Sequence, residues 1–185
     1  MTNQMLMEEL SRISAIHAID LGHVPASSQA VEGTYYPQFS ESVRSEASQM
    51  SRHYEIFYCL EKSIRILVSV TIETAENAAD WWVSSNRIPQ NVKSEVDSRI
   101  QREVDSGITL RSQDELDFTT FGELSVIINS NWSIFGGVFS SRKAVEKVMA
   151  NLNSLRGPIA HCSPLAEDEQ LRLHLAVRDW FRLME

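Results

Sequence analysis

The chain has 185 residues, enough for one domain around a single core and short for two. At 43% hydrophobic and 23% charged it has the composition of a soluble globular protein, which excludes the disordered and membrane classes. A net charge of −8 argues against a broad electrostatic grip on nucleic acid, so any phosphate contact is expected to be local and to draw on the 13 arginines that outnumber 4 lysines.

Residues 1 to 21 are expected to form a helix, with Met5, Leu6, Leu10, Ile13 and Ile16 at helical spacing. Its start, MTNQMLMEEL, carries acidic rather than basic residues before the apolar positions, unlike a secretory signal. The stretch GHVPASSQAVEGTYYPQF is rich in Gly, Pro and Ser and reads as a linker or surface loop. The expected organisation is therefore a helix and linker over 1–38 and a helical domain over 39–185. Between Pro37 and Pro89 there is neither glycine nor proline, and Val43, Ala47, Met50, Tyr54, Phe57, Ile64, Val68 and Ala75 recur at helical spacing. One long helix is predicted from about Ser40 to the Trp81-Trp82 pair. Its apolar stretch IRILVSVTI is interrupted by Arg65 and Ser69 and falls short of the roughly 20 residues of a membrane span.

A helix is predicted after Pro89, with Val92, Val96, Ile100 and Val104 as its stripe and Gly107 closing it. Thr120 with Glu123 forms a capping-box signature before Leu124, Ile127 and Ile128; Trp132 and Phe135 follow, and Gly136-Gly137 stop the run. Ser140 or Ser141 caps a helix through Val145, Val148, Met149, Leu152 and Leu155, with Gly157 expected to supply a left-handed cap at its end. The final helix is expected to start at Ser163-Pro164 and run to about Met184. No segment alternates like a strand, so the expected class is all-α, a bundle of about five helices including one long one.

The candidate chemistry sits in RGPIAH, Arg156 to His161, where the expected bend at Gly157-Pro158 would aim both side chains at one opening. The same spacing occurs in RISAIH, but there Arg12 and His17 share an unbroken helix and lie about 140° apart around its axis. A plainer reading stays open, since arginine in a last helical turn is favoured by the helix dipole and a junction histidine is often bonded to a carbonyl. In the long helix the apolar stripe places Glu61 on the core-facing side. It either pairs with Arg65 four residues on, at the edge of the bundle, or faces a polar cleft and orients Arg156 or His161. His53 and His174 lie in helices with no evident partners. Cys59 and Cys162 fit a reducing, cytoplasmic setting better than a disulfide framework, and no spacing of metal ligands, phosphate-cradling glycine loop or nucleophile elbow appears, so no metal or cofactor is expected.

NSLRGPIAHCSPLAEDE, together with YEIFYCLEKSIR and DELDFTTFGELSVIINSNWSIFGGVF, resembles the HEPN superfamily (higher eukaryotes and prokaryotes nucleotide-binding) over roughly residues 40 to 183. It is most similar to the branch holding the C-terminal domain of a eukaryotic transcript-surveillance endoribonuclease. The family hallmark, Arg followed a few residues later by His, lands on Arg156 and His161. The resemblance implies a helical bundle that forms a homodimer, bringing two motifs together into a metal-independent ribonuclease site; the stripe and spacing of the long helix add Glu61 and Arg65 as expected supporting residues. It also implies RNA as substrate, a role in stress response or defence of the toxin kind, and a protein regulator or antitoxin as partner. Gly157 departs from the family's common Asn. The tyrosine that one branch modifies after its histidine is Ser163 here, so that modification is not carried over.

The residue types suit such chemistry on their own terms. Attack of an RNA 2′-OH on the adjacent phosphorus needs a base, an acid for the leaving oxygen and positive charge beside the transition state. Histidine titrates near neutral pH and serves either proton role; Arg156 offers a permanent charge and a planar fork. One His161 cannot hold both roles at once, whereas two copies across one cleft can. The alternatives are a catalytically inactive dimer that binds RNA, a nucleotide or a protein, and a purely structural bundle.

Overall fold

In the computed structural model, which describes residues 36–185, the glycine- and proline-free stretch forms one helix, α1, over Glu41–Glu76. Its buried stripe is His53, Phe57, Leu60, Ile64, Val68 and Ile72, a face that stays aligned because its steps mix three and four. Each fully buried isoleucine or leucine contributes about 1.5–3 kcal/mol by leaving water. Tyr54, Val43 and Ala75, read into the stripe from spacing, are exposed. The helix stops at Glu76, not at the tryptophan pair: Asn77 takes a left-handed conformation at φ 51°, which asparagine tolerates better than most side chains. Trp81 and Trp82 then begin a separate turn, α2 (Trp81–Ser84), and both are buried.

α3 covers Gln90–Asp105, closed by Gly107 at φ 68°. Val92 and Val96 are buried, but in the last turn Glu103 replaces the expected Val104. Repeated steps of four drift around the axis, so Val104 lies about 120° from Val92 while Glu103 lies about 20° away. A 3-10 turn over Glu115–Phe118, not anticipated, packs against α3 and buries Leu116 and Phe118. The capping box forms as read, with Thr120 and Glu123 bonding each other's backbone N–H groups ahead of α4 (Phe121–Ser130). α5 (Trp132–Phe135) ends at Gly136.

α6 runs Arg142–Ala160 behind a Ser141 cap, and α7 runs Glu167–Arg182. α7 starts three residues beyond Pro164; its first turn is led by Ala166, whose N–H donates to Glu169 Oε2 at 3.1 Å. α4 and α7 both pack on α6, and the Phe57 ring lies 5.2 Å from that of Phe121, joining α1 to α4. Five long helices and two short ones make the bundle, and the described residues are helical with no strand. No described helix is long and apolar enough to cross a membrane.

Backbone contacts divide the chain into Met1–Ser45 and Glu46–Glu185. Of the first unit, a 3-10 turn over Tyr36–Gln38 and the start of α1 are described, with the Arg44 guanidinium 5.4 Å from the Tyr36 ring centroid. The expected helix over 1–21, the RISAIH match within it and most of the linker lie outside the described residues.

Candidate functional site

The site grows from one shoulder of α1. Measured around the axis from fully buried Ile64, Glu61, Tyr54, Arg65 and Tyr58 fall about 60°, 80°, 100° and 120° away, all on the same side. This flank is neither core nor far surface, so a charged group there keeps partial solvation while facing a neighbouring helix. On α6, measured from Leu152, Ile159 lies within about 20° and Arg156 about 40° away, which turns both toward the bundle.

The two flanks meet through Glu61. Arg65 donates from Nη2 to Glu61 Oε1 at 2.6 Å, and Arg156 donates from Nε to Glu61 Oε2 at 3.1 Å. The carboxylate is only 14% exposed, and each of its oxygens has a guanidinium partner, as a carboxylate so withdrawn from water requires. Arg65 is fixed further by donating to the carbonyls of Leu116 (3.3 Å) and Thr119 (2.9 Å). Arg156 is held differently. It is 38% exposed, and among the described residues it has no other hydrogen bond, so both terminal nitrogens keep their N–H groups free.

These side chains surround a cavity of about 200 Å³. Phe57, Ile159 and Ala160 give it an apolar wall, Tyr54 and Tyr58 stand along it, and Glu61, Lys62, Arg65 and Arg156 supply its charge. Lys62 bonds Asp117 Oδ1 at 3.1 Å. Burial pushes the Asp117 carboxyl up, but hydrogen bonds from Ser112 and Lys62, with Arg65 nearby, hold it below the usual carboxylate range. Three cations against Glu61 and the neighbouring Asp117 leave this spot with a small positive excess on a chain of net charge −8.

His161 does not line this cavity. The expected bend is absent: Gly157 and Pro158 are both inside α6, and His161 caps its end, its N–H donating to Gly157 O at 3.0 Å. Because Gly157 has no Cβ to meet the proline ring, the position before Pro158 stays helical. The left-handed residue is Cys162, at φ 54°, followed by a Ser163 N–H to Pro158 O bond of 2.9 Å. On an unbroken helix five residues separate side chains by about 140°, the geometry first assigned only to Arg12 and His17. One chain therefore brings together Glu61, Arg65 and Arg156, and leaves His161 exposed beyond them.

The sequence reading also missed two arginine pairs that brace the frame. Arg99 forks onto Glu123 at 2.7 and 2.8 Å, and Arg111 closes on Glu103. Burial pushes Glu123 up, but Arg99 and Thr120 hold it below its ordinary value; Glu103 is lowered chiefly by its Arg111 hydrogen bond. His53 faces the core with Nδ1 unpartnered, and burial, then His174 and Arg52, push its pKa down. Cys59 and Cys162 are exposed free thiols, and among the described residues no three His, Cys, Asp or Glu side chains gather as metal ligands would.

The family described as Swt1-like HEPN matches residues 55–185, a stretch that contains Glu61, Arg65, Arg156 and His161. No curated protein and no solved structure matches the chain.

Proposed function

The chain belongs to the Swt1-like HEPN family, and from that premise we propose that it is a metal-independent RNA endonuclease whose working site is shared between two copies. The observation that carries this reading is Arg156: a guanidinium bonded at Nε to Glu61, 38% exposed, with its terminal N–H groups free beside the cavity it lines. Free donors on a guanidinium anchored through Nε suit a phosphate whose charge grows in the transition state. Arg65, bonded to Glu61 and two carbonyls, acts as a positioning residue that keeps the carboxylate in place.

Within one chain His161 lies outside the cavity that Arg156 lines, so the proton chemistry is assigned to histidines meeting across a two-fold axis. One imidazole takes the proton from the 2′-OH; that oxygen bonds phosphorus as the P–O5′ bond breaks, and the other imidazole gives a proton to the departing O5′. The products are a 2′,3′-cyclic phosphate and a free 5′-OH.

Incubation of the purified chain with RNA in EDTA tests this. Cleavage of RNA but not DNA, cyclic phosphate ends, a specific activity that falls on dilution, and a loss of about 100-fold or more in His161→Ala are expected. Full activity in His161→Ala overturns the assignment. A second reading, an inactive dimer that binds RNA or a protein, is favoured by His161 lying outside the Arg156 cavity. It predicts salt-sensitive RNA binding with no product.

A further inference from the structure

The mechanism uses the charged side of the cavity and leaves its aromatic side unexplained. Tyr54 and Tyr58 are 59% and 55% exposed, although they border the core stripe of a well-packed helix. They are one turn apart on the shoulder that carries Glu61 and Arg65, with ring centroids 6.1 Å apart and planes tilted by 36°. Among the described residues neither hydroxyl has a hydrogen-bond partner, so the pairing of the two rings with each other is the one specific side-chain interaction they make there. Both line the cavity that Arg156, with its free donors, also lines.

We propose that Tyr54 and Tyr58 form a stacking platform for an unpaired nucleobase of the RNA strand whose phosphate Arg156 holds. The inference rests on RNA being the ligand of this cavity, and it adds which residues of this chain hold an unpaired base there. An exposed tyrosine offers an open π-face to any base, while the neighbouring cations neutralise the backbone that carries it. A base in a duplex is stacked and paired already, and a platform on a helix flank cannot reach it in the narrow A-form groove. The apolar wall of Phe57 and Ile159 suits the flat edge of a base entering beside the rings.

The test uses the full chain and a short oligonucleotide with 2′-O-methyl riboses, which lacks the attacking hydroxyl and so separates binding from cutting. A 2-aminopurine in the strand reports stacking. The double variant Tyr54→Ala/Tyr58→Ala should weaken single-strand binding about tenfold or more and abolish 2-aminopurine quenching. The double variant Tyr54→Phe/Tyr58→Phe, which keeps the rings, should bind within about twofold of the parent. A matched duplex should bind weakly and equally to all three proteins.

Unchanged binding in the alanine variant, or equal loss for duplex and single strand, overturns the platform. So does binding loss accompanied by conversion to monomers in sedimentation, which would assign the rings to contact between copies. If the parent chain binds and cuts RNA while the alanine variant does the same, only the platform falls. If the parent neither binds nor cuts RNA, the nuclease reading falls and takes the platform with it.

Discussion

Glu61 carries more of the site than its place in the sequence announces. The i,i+4 pairing with Arg65 is readable from spacing alone, because residues four apart face the same side of a helix. The bond to Arg156, 95 positions away, is not, since it depends on how α6 crosses α1. Truncating the carboxylate leaves two guanidinium groups facing each other, and Arg65, only 13% exposed, has little access to water. Glu61→Ala is therefore expected to cost about 2–3 kcal/mol, read as a lower urea midpoint at constant m-value. Glu61→Gln keeps the shape, but one amide oxygen cannot serve two cations and its NH2 opposes one of them; it should fold with a smaller loss and cut RNA far more slowly. A nuclease rate untouched in Glu61→Gln would separate the carboxylate from the chemistry. His161 shows the opposite limit of legibility. Its spacing from Arg156 was visible, yet its direction hung on whether Gly157-Pro158 breaks the helix, and the missing Cβ of Gly157 lets the helix continue.

At the scale of elements, the sequence located every long helix in the described residues and misjudged where four of them begin or end: α1, α4, α6 and α7. Periodicity is a property of a helix interior, whereas an end depends on a single residue's φ and on what the next segment buries. Asn77 ended α1 early, and α7 waited for the acidic turn at Glu167. The 3-10 turn at Glu115–Phe118 left no periodic trace, being shorter than one repeat of any pattern, although it buries two large side chains and supplies the Leu116 carbonyl to Arg65. The end of α6 yields a direct prediction. Cys162 occupies the left-handed position of the cap at φ 54°, where a Cβ meets the backbone at a cost of about 1 kcal/mol or more. Cys162→Gly should raise stability by about 1 kcal/mol in urea melts and leave the helical content unchanged. A neutral or destabilising result would mean the thiol makes a compensating contact in solution.

For the molecule as a whole, the response to acid follows from where its carboxylates are held. Glu103, Asp117 and Glu123 are all lowered, and their partners lie on different segments: Arg99 on α3 reaches α4, Arg111 reaches back to α3, and Lys62 on α1 reaches the 3-10 turn. A carboxyl with a depressed folded-state pKa binds its proton more readily when unfolded. Its stabilisation is complete above the unfolded value of about 4.3 for Glu and is lost as pH falls through the folded value. His53 acts with the same sign in a higher window: its depressed pKa favours protonation in the unfolded chain, so stability begins to decline below about 6.5. The urea midpoint should thus fall in two stages, gently below neutrality and steeply in the carboxylate range. His53→Gln removes the first stage. Glu123→Gln, which breaks the fork to Arg99, should lower the midpoint at pH 7, and its curve should approach the parent's as pH falls through the lowered folded-state pKa of Glu123. Parallel curves at all pH values would show that Glu123 stabilises α4 through shape and capping alone.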